Sequence, residues 1–241
     1  MNKQRKFAKV LTLTATLLST AISGAAVSTT TEPHQESTAK LLSVRFEARE
    51  VVKIEAGDFH FVAGQVAPIH THDAPAIGYV SKGEILYQVE GEKPQLLREG
   101  DAFYEPVGPR ILRFDNASAT EEAIFIDFNL QQENEPFIVF EKELTEHIDR
   151  RTLPTIELKG KSISQADVLV SELEASGHKT IHTDGPTLGY VAEGTVNVIT
   201  SGKTQQYIAG QSFSLVGSRA TTTVVNNSST LTAKVVAFHL K

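Results

Sequence analysis

The chain has 241 residues, 23 Lys and Arg against 29 Asp and Glu, a formal net charge of −6 and no cysteine. Without thiols, disulfides and thiolate metal sites are excluded, and stability has to come from burial. The acidic balance, with no run of like charges, argues against a nucleic-acid partner, because phosphate binding relies on clustered Lys and Arg.

In chain order, residues 1–25 read as a signal peptide. Lys3, Arg5, Lys6 and Lys9 precede an apolar run from Val10 to Ile22, and the small residues Ser23, Gly24, Ala25 and Ala26 follow. That run holds 13 residues, short of the roughly 18–20 that a spanning helix needs. The expectation is a periplasmic or secreted protein, cut near Ala25 or Ala26, with no membrane span in its mature form. Loss of the four basic residues would bring the net charge to about −10.

Residues 26–41 are rich in Ser, Thr, Glu and Gln and are expected to form a flexible leader, since so little apolar surface cannot offset the entropy of ordering. From Leu41 onward, short apolar segments alternate with turn residues, as in Phe59-His60-Phe61-Val62, Ile85-Leu86-Tyr87-Gln88-Val89 and Ala123-Ile124-Phe125-Ile126-Asp127-Phe128. This spacing predicts an all-β sandwich or barrel.

An internal repeat divides the rest. Pro75, Gly78, Tyr79, Val80 and Gly83 recur 111 residues later as Pro186, Gly189, Tyr190, Val191 and Gly194. Gly100, Phe103, Asn116, Ser118, Ala123, Phe128 and Leu130 recur at an offset of 110 as Gly210, Phe213, Asn226, Ser228, Ala233, Phe238 and Leu240. A period this long marks a duplicated domain rather than a solenoid unit. The copies are placed at residues 42–131 and 156–241, with residues 132–155 as a linker. Phe140, Leu144 and Ile148 fall at i, i+4 and i+8 there and predict one short amphipathic helix. Asn116-Ala117-Ser118 and Asn226-Asn227-Ser228 read as turns between the last two strands of each copy.

Chemistry concentrates in the first copy. Gly64 is followed by His70-Thr71-His72 and then Gly83, and later by Gly100-Asp101, Pro106-Val107-Gly108 and Asn116. Residues two apart on a strand share a face, so His70 and His72 would project together into one cavity, a sound start for a divalent metal site. These two spaced motifs resemble those of the cupin superfamily, over residues 64 to about 118. The resemblance implies two tandem jelly-roll barrels with a site inside the mouth of the first, and homodimers are frequent in that family.

The family's ligand set usually adds a Glu after the second His and a His in the second motif. Here those positions hold Ala76 or Ile77, and Ile111 or Leu112. A third ligand is sought among Glu105, Asp115, Asp127 and His60, with Glu105 beside the Pro106 corner as the choice. Tyr79 and Ile111 are assigned to the wall of a ligand pocket, although the recurrence of Tyr79 as Tyr190 favours a packing role. In the second copy, His182-Thr183-Asp184 offers only a His and a carboxylate, more often a solvated turn. His34, His147, His178 and His239 read as surface or linker histidines.

No Gly-x-Ser-x-Gly elbow, phosphate-cradling loop or His-Glu-x-x-His helix competes with this site. Two functions therefore stand. One is a metal-dependent enzyme acting on a small organic molecule, with Mn, Fe, Ni, Cu or Zn held by His70, His72 and a carboxylate. The other is a non-catalytic, metal-free module whose barrel holds a small ligand.

Overall fold

A computed structural model of the protein describes residues 37–144, 147–182, 184–216 and 221–241. The expected signal peptide, residues 1–25, and the leader up to residue 36 lie outside the described residues. Among the described residues every regular element is a strand, and no helix is long and apolar enough to cross a membrane.

The N-terminal half carries β1 (Ser37–Phe61), β2 (His70–Thr71), β3 (Ala76–Lys82), β4 (Glu84–Val89), β5 (Gln95–Arg98), β6 (Ala102–Glu105), β7 (Ile111–Asn116) and β8 (Ala123–Gln131). Two short strands, β9 (Val139–Phe140) and β10 (Asp149–Thr152), follow in the connection. The C-terminal half carries β11 (Ile156–Leu173), β12 (His178–Ile181), β13 (Thr187–Glu193), β14 (Thr195–Thr200), β15 (Lys203–Ile208), β16 (Ser212–Leu215), β17 (Thr222–Asn226) and β18 (Ala233–Leu240).

These strands form a nine-stranded sheet in the order β16-β13-β18-β11-β1-β8-β3-β6, with β10 also paired to β1. A five-stranded sheet, β5-β4-β7-β2-β9, belongs to the N-terminal half, and a four-stranded sheet, β12-β17-β14-β15, to the C-terminal half. Strand for strand, β6-β3-β8-β1 is answered by β16-β13-β18-β11, which is the structural content of the sequence repeat.

Period-two alternation sorts the side chains of the large sheet into separate cores. On β8, Ile126, Phe128 and Leu130 join Ile77, Tyr79, Leu188, Tyr190 and Phe238 in a core shared by both halves. There the Phe128 and Phe238 rings meet at 4.7 Å and the Tyr79 and Tyr190 rings at 6.4 Å. Burial of each such ring contributes roughly 1.5–3 kcal/mol. The opposite face of β8 turns Phe125 toward Phe59, Phe103 and Phe114 in the N-terminal core. A core of smaller side chains, among them Ile181, Val196, Val224 and Val235, fills the C-terminal half.

The repeated residues have specific structural work. A Cβ on Gly78 would stand 2.0 Å from a ring carbon of Phe103, and one on Gly189 would stand 2.1 Å from Phe213, so each glycine lets a phenyl ring lie against bare backbone. Asn116 Nδ2 donates to the carbonyls of Phe61, Val62 and Glu121 at 3.1, 2.9 and 2.8 Å. Asn226 repeats the pattern with Leu173, Glu174 and Leu231 at 3.1, 2.9 and 2.8 Å. Each asparagine also accepts from the serine two residues on, so it pins the turn and the strand end together.

The long strands β1 and β11 each serve both halves. Residues 37–45 of β1 pair with residues 165–172 of β11 beside β18, whereas residues 53–61 of β1 pair with β8. Residues 156–163 of β11 lie in turn against β1 in the N-terminal half, and residues 166–173 pair with β18.

Two expectations are corrected. The leader does not run to residue 41, because Ser37–Lys40 already belong to β1 and pair with β11 from Ser37↔Glu172 to Lys40↔Leu169. A backbone ladder satisfies N–H and C=O groups whatever the side chains, so an exposed polar segment can be a strand. The linker helix is absent among the described residues. Phe140 lies in β9 opposite His70, and Ile148 packs against the N-terminal core just before β10. Of the three apolar side chains spaced four apart, Phe140 serves a strand, Ile148 packs on the core just before one, and Leu144 is exposed.

Candidate metal centre

The site forms where β2 meets β6 inside the N-terminal half. His70 lies on β2 opposite Ile111 of β7, and His72 makes a parallel bridge with Val107 while its carbonyl accepts from Gly108 N–H at 3.1 Å. The Pro106-Val107-Gly108 corner thus fixes the backbone carrying the second histidine. Alternation along the extended segment turns both imidazoles inward, their ring centroids 5.3 Å apart.

Glu105, the last residue of β6, completes the group. Its Oε1 lies 3.5 Å from His70 Nε2 and its Oε2 3.2 Å from His72 Nε2. His70, His72 and Glu105 are 4%, 1% and 3% exposed, so these groups face each other with almost no access to water. One ligand atom from each lies within 4.8 Å of the others.

The surroundings orient these donors. His70 Nδ1 donates to the Pro68 carbonyl at 2.8 Å, which leaves Nε2 as the lone-pair nitrogen facing Glu105. Asn129 Nδ2 lies 3.4 Å from His72 Nδ1 and donates to the Phe137 carbonyl at 3.1 Å. The contact between His72 and Glu105 is close enough for an ion pair but misdirected for a hydrogen bond. His72 Nε2 and Glu105 Oε1 are buried without a hydrogen-bond partner. Two imidazoles and a carboxylate converging in a buried space, with His72 Nε2 and Glu105 Oε1 unpartnered, fit a divalent cation of the kind bound by a two-His, one-carboxylate triad.

Electrostatics couple the group to its neighbours. Burial alone would lower the His72 pKa, but the Glu105 carboxylate outweighs it and pushes the ring up to about 9. Burial would raise Glu105, and the two histidines instead hold it down to about 2. Asp127, buried on the inner face of β8, is pushed up to about 7 by burial and by the Glu105 charge.

The remaining expected residues fall in different places. Ile111 is buried in the site's wall, facing His70 across the strand pair. Tyr79 is not in the pocket. Ala76, Gly78 and Val80 of β3 face inward, so Tyr79 points the other way, into the core shared by the halves. His60 is held by Asp58 at 3.2 Å and Glu122 at 3.3 Å, and Asp115 by Arg113 at 2.8 Å. His182 and Asp184 are exposed. Asn129 and Phe137 escaped the sequence reading. Alternating Asp127, Asn129 and Gln131 within an otherwise apolar strand is the pattern that could have pointed to the first.

The cupin domain family model matches residues 57–129, the segment that supplies both histidines, Glu105 and all of β8 but its last two residues. Residues 57–129 form a cupin domain. Among solved structures it is similar to salicylate 1,2-dioxygenase from Pseudaminobacter salicylatoxidans, at 16% identity over 78% of this chain and 71% of that one, with a TM-score of 0.54. It is also similar to AerE from Microcystis aeruginosa, at 14% identity over 84% and 98% of the two chains, with a TM-score of 0.56. At these identities the likeness is one of fold. No curated protein sequence matches the chain.

In this cupin domain the carboxylate comes from β6 rather than from β3. Ala76, where the first motif would carry its Glu, is the cross-strand partner of Glu105. Directly paired residues hold their Cβ atoms about 4.5–5.5 Å apart, so a carboxylate on either strand can reach much the same point. Ile111, where the second motif would carry its His, closes the opposite side with an apolar side chain.

Proposed function

We propose that the chain is an exported protein of two tandem cupin-like jelly-roll barrels, and that the first binds a divalent metal ion together with a small organic molecule. The observation that carries this reading is the convergence of three buried side chains, His70, His72 and Glu105, with His72 Nε2 and Glu105 Oε1 left without a hydrogen-bond partner. Mn, Fe, Ni, Cu and Zn all accept such a donor set, and when bound the ion supplies Lewis acidity to an oxygen of the organic molecule.

The chain's own residues have separate roles. Pro68 fixes the His70 tautomer through its carbonyl. Asn129 steadies His72, and Ile111 keeps one side of the site apolar. Asp127 stands near enough to Glu105 to feel its charge, as a carboxyl able to hold a proton near neutrality. The dioxygenase among the structural neighbours makes oxygenation of a small acid one reaction to assay.

A metal-free module is the second reading, favoured by the ion pair that His72 and Glu105 form without a metal. Elemental analysis after reconstitution with each ion separates the two. The native chain is expected to retain about one equivalent, and His70→Ala/His72→Ala none. Glu105→Gln should weaken binding by about a hundredfold or more. Failure of the native chain to retain any of the five ions removes the metal reading.

A further inference from the structure

The two histidines of the metal centre are oriented by carbonyls of very different origin. His70 Nδ1 is tied to Pro68, two residues back in the same segment. His72 donates instead to the carbonyl of Phe137, far along the chain in the connection between the halves. Its Nε2 has no hydrogen-bond partner, so the donor to Phe137 is Nδ1–H. The same carbonyl accepts from Asn129 Nδ2 at 3.1 Å. Phe137 lies between β8 and β9 and belongs to neither, so its place depends on where its buried ring packs.

Arg150 holds that ring. Its guanidinium lies 3.7 Å from the Phe137 ring centroid and 5.9 Å from that of Phe59, and the two rings stand 6.0 Å apart. From the same guanidinium, Nη2 donates to Glu55 Oε1 at 2.6 Å. Burial would raise the Glu55 carboxyl, but Arg150 and Lys53 hold it below its ordinary value, so the pair stays charged at neutral pH.

Register puts these groups together. Arg150 of β10 is the cross-strand partner of Phe59 of β1, so both side chains leave the same face, and alternation adds Glu55 and Gly57 to it. Gly57 supplies the room. A Cβ there would stand 2.8 Å from Arg150 Nε and 2.6 Å from a ring carbon of Phe59.

We infer that Arg150 is a positioning residue for the metal centre, acting through Phe137 on the Nδ1–H of His72 and so keeping Nε2 aimed at Glu105. A guanidinium suits the task because its plane can lie over a ring while its edge donates to a carboxylate. Only the effect on metal affinity rests on the proposed metal reading. The aim of the His72 ring belongs to the metal-free chain as well.

Magnetic resonance of the full chain carrying isotope-labelled histidine reads how fast each ring N–H exchanges with water. His70, secured within its own segment, is the internal control. In the metal-free chain, Arg150→Met should speed exchange of the His72 Nδ1–H about tenfold or more and leave His70 unchanged. Arg150→Lys, which keeps the charge at Glu55 without the plane, should fall between. Zinc affinity, by chelator competition, should drop about tenfold or more in Arg150→Met, as expected when a ligand loses its support. Thermal unfolding checks that the variants fold, and Glu55→Gln, which frees Arg150 from its far side, should act in the same direction.

Equal changes at His70 and His72 would mean a general loosening and overturn the inference. Native exchange at His72, or native zinc affinity, in folded Arg150→Met and Glu55→Gln would overturn it too. If the native chain takes up no zinc, the ring protons alone decide whether Arg150 sets the His72 ring.

Discussion

Without a metal ion, His72 and Glu105 face each other as a buried pair whose mutual attraction outweighs the cost of burial for both. His72 is raised from its ordinary 6.5 to about 9, so its contribution to stability is complete below 6.5 and is lost as pH rises through 9. Glu105 is depressed from 4.5 to about 2, so its contribution is present above 4.5 and is lost as pH falls through 2. Urea unfolding of the metal-free chain should therefore show this pair's full contribution between pH 4.5 and 6.5, with a decline on either side. His72→Gln should abolish the alkaline decline. A metal must displace the His72 proton, so affinity measured by chelator competition should rise about tenfold per pH unit until about pH 9.

At the level of strands, the site depends on which residues stand opposite one another. Ala76 and Glu105 are direct partners across β3 and β6, so their identities can be exchanged without moving the backbone. Glu105→Ala alone should lose metal in the elemental analysis, and Ala76→Glu/Glu105→Ala should recover at least part of it. Failure of the double variant in a folded protein would show that the β6 position is specifically required. The histidine pair was legible in the sequence because strand alternation is local, and Glu105 because it adjoins the Pro106 corner. Asn129 and Phe137 were not, because nothing local says that β8 and the segment after it border β2. The inward Ala76, Gly78 and Val80 already implied that Tyr79 faces outward, a parity that the pocket assignment overlooked. The apparent helix at Phe140, Leu144 and Ile148 failed because three apolar positions are too few to fix a period, and the exposed Leu144 buries nothing that would hold a helix in place.

For the molecule as a whole, the repeat announced the matching strand orders β6-β3-β8-β1 and β16-β13-β18-β11, but not the sharing of strands, since both segments read alike whether or not they trade edges. Residues 37–45 close the edge of β11 in the C-terminal half, and residues 156–163 lie against β1 in the N-terminal half. Deleting residues 1–45 should speed amide hydrogen exchange across residues 166–173 and lower the melting temperature by several degrees, with metal content unchanged. Either half produced alone would display a raw row of backbone donors and acceptors that invites aggregation. Neither half can therefore be trimmed away without baring a strand of the other, because residues 156–163 cover part of β1 just as residues 37–45 cover part of β11.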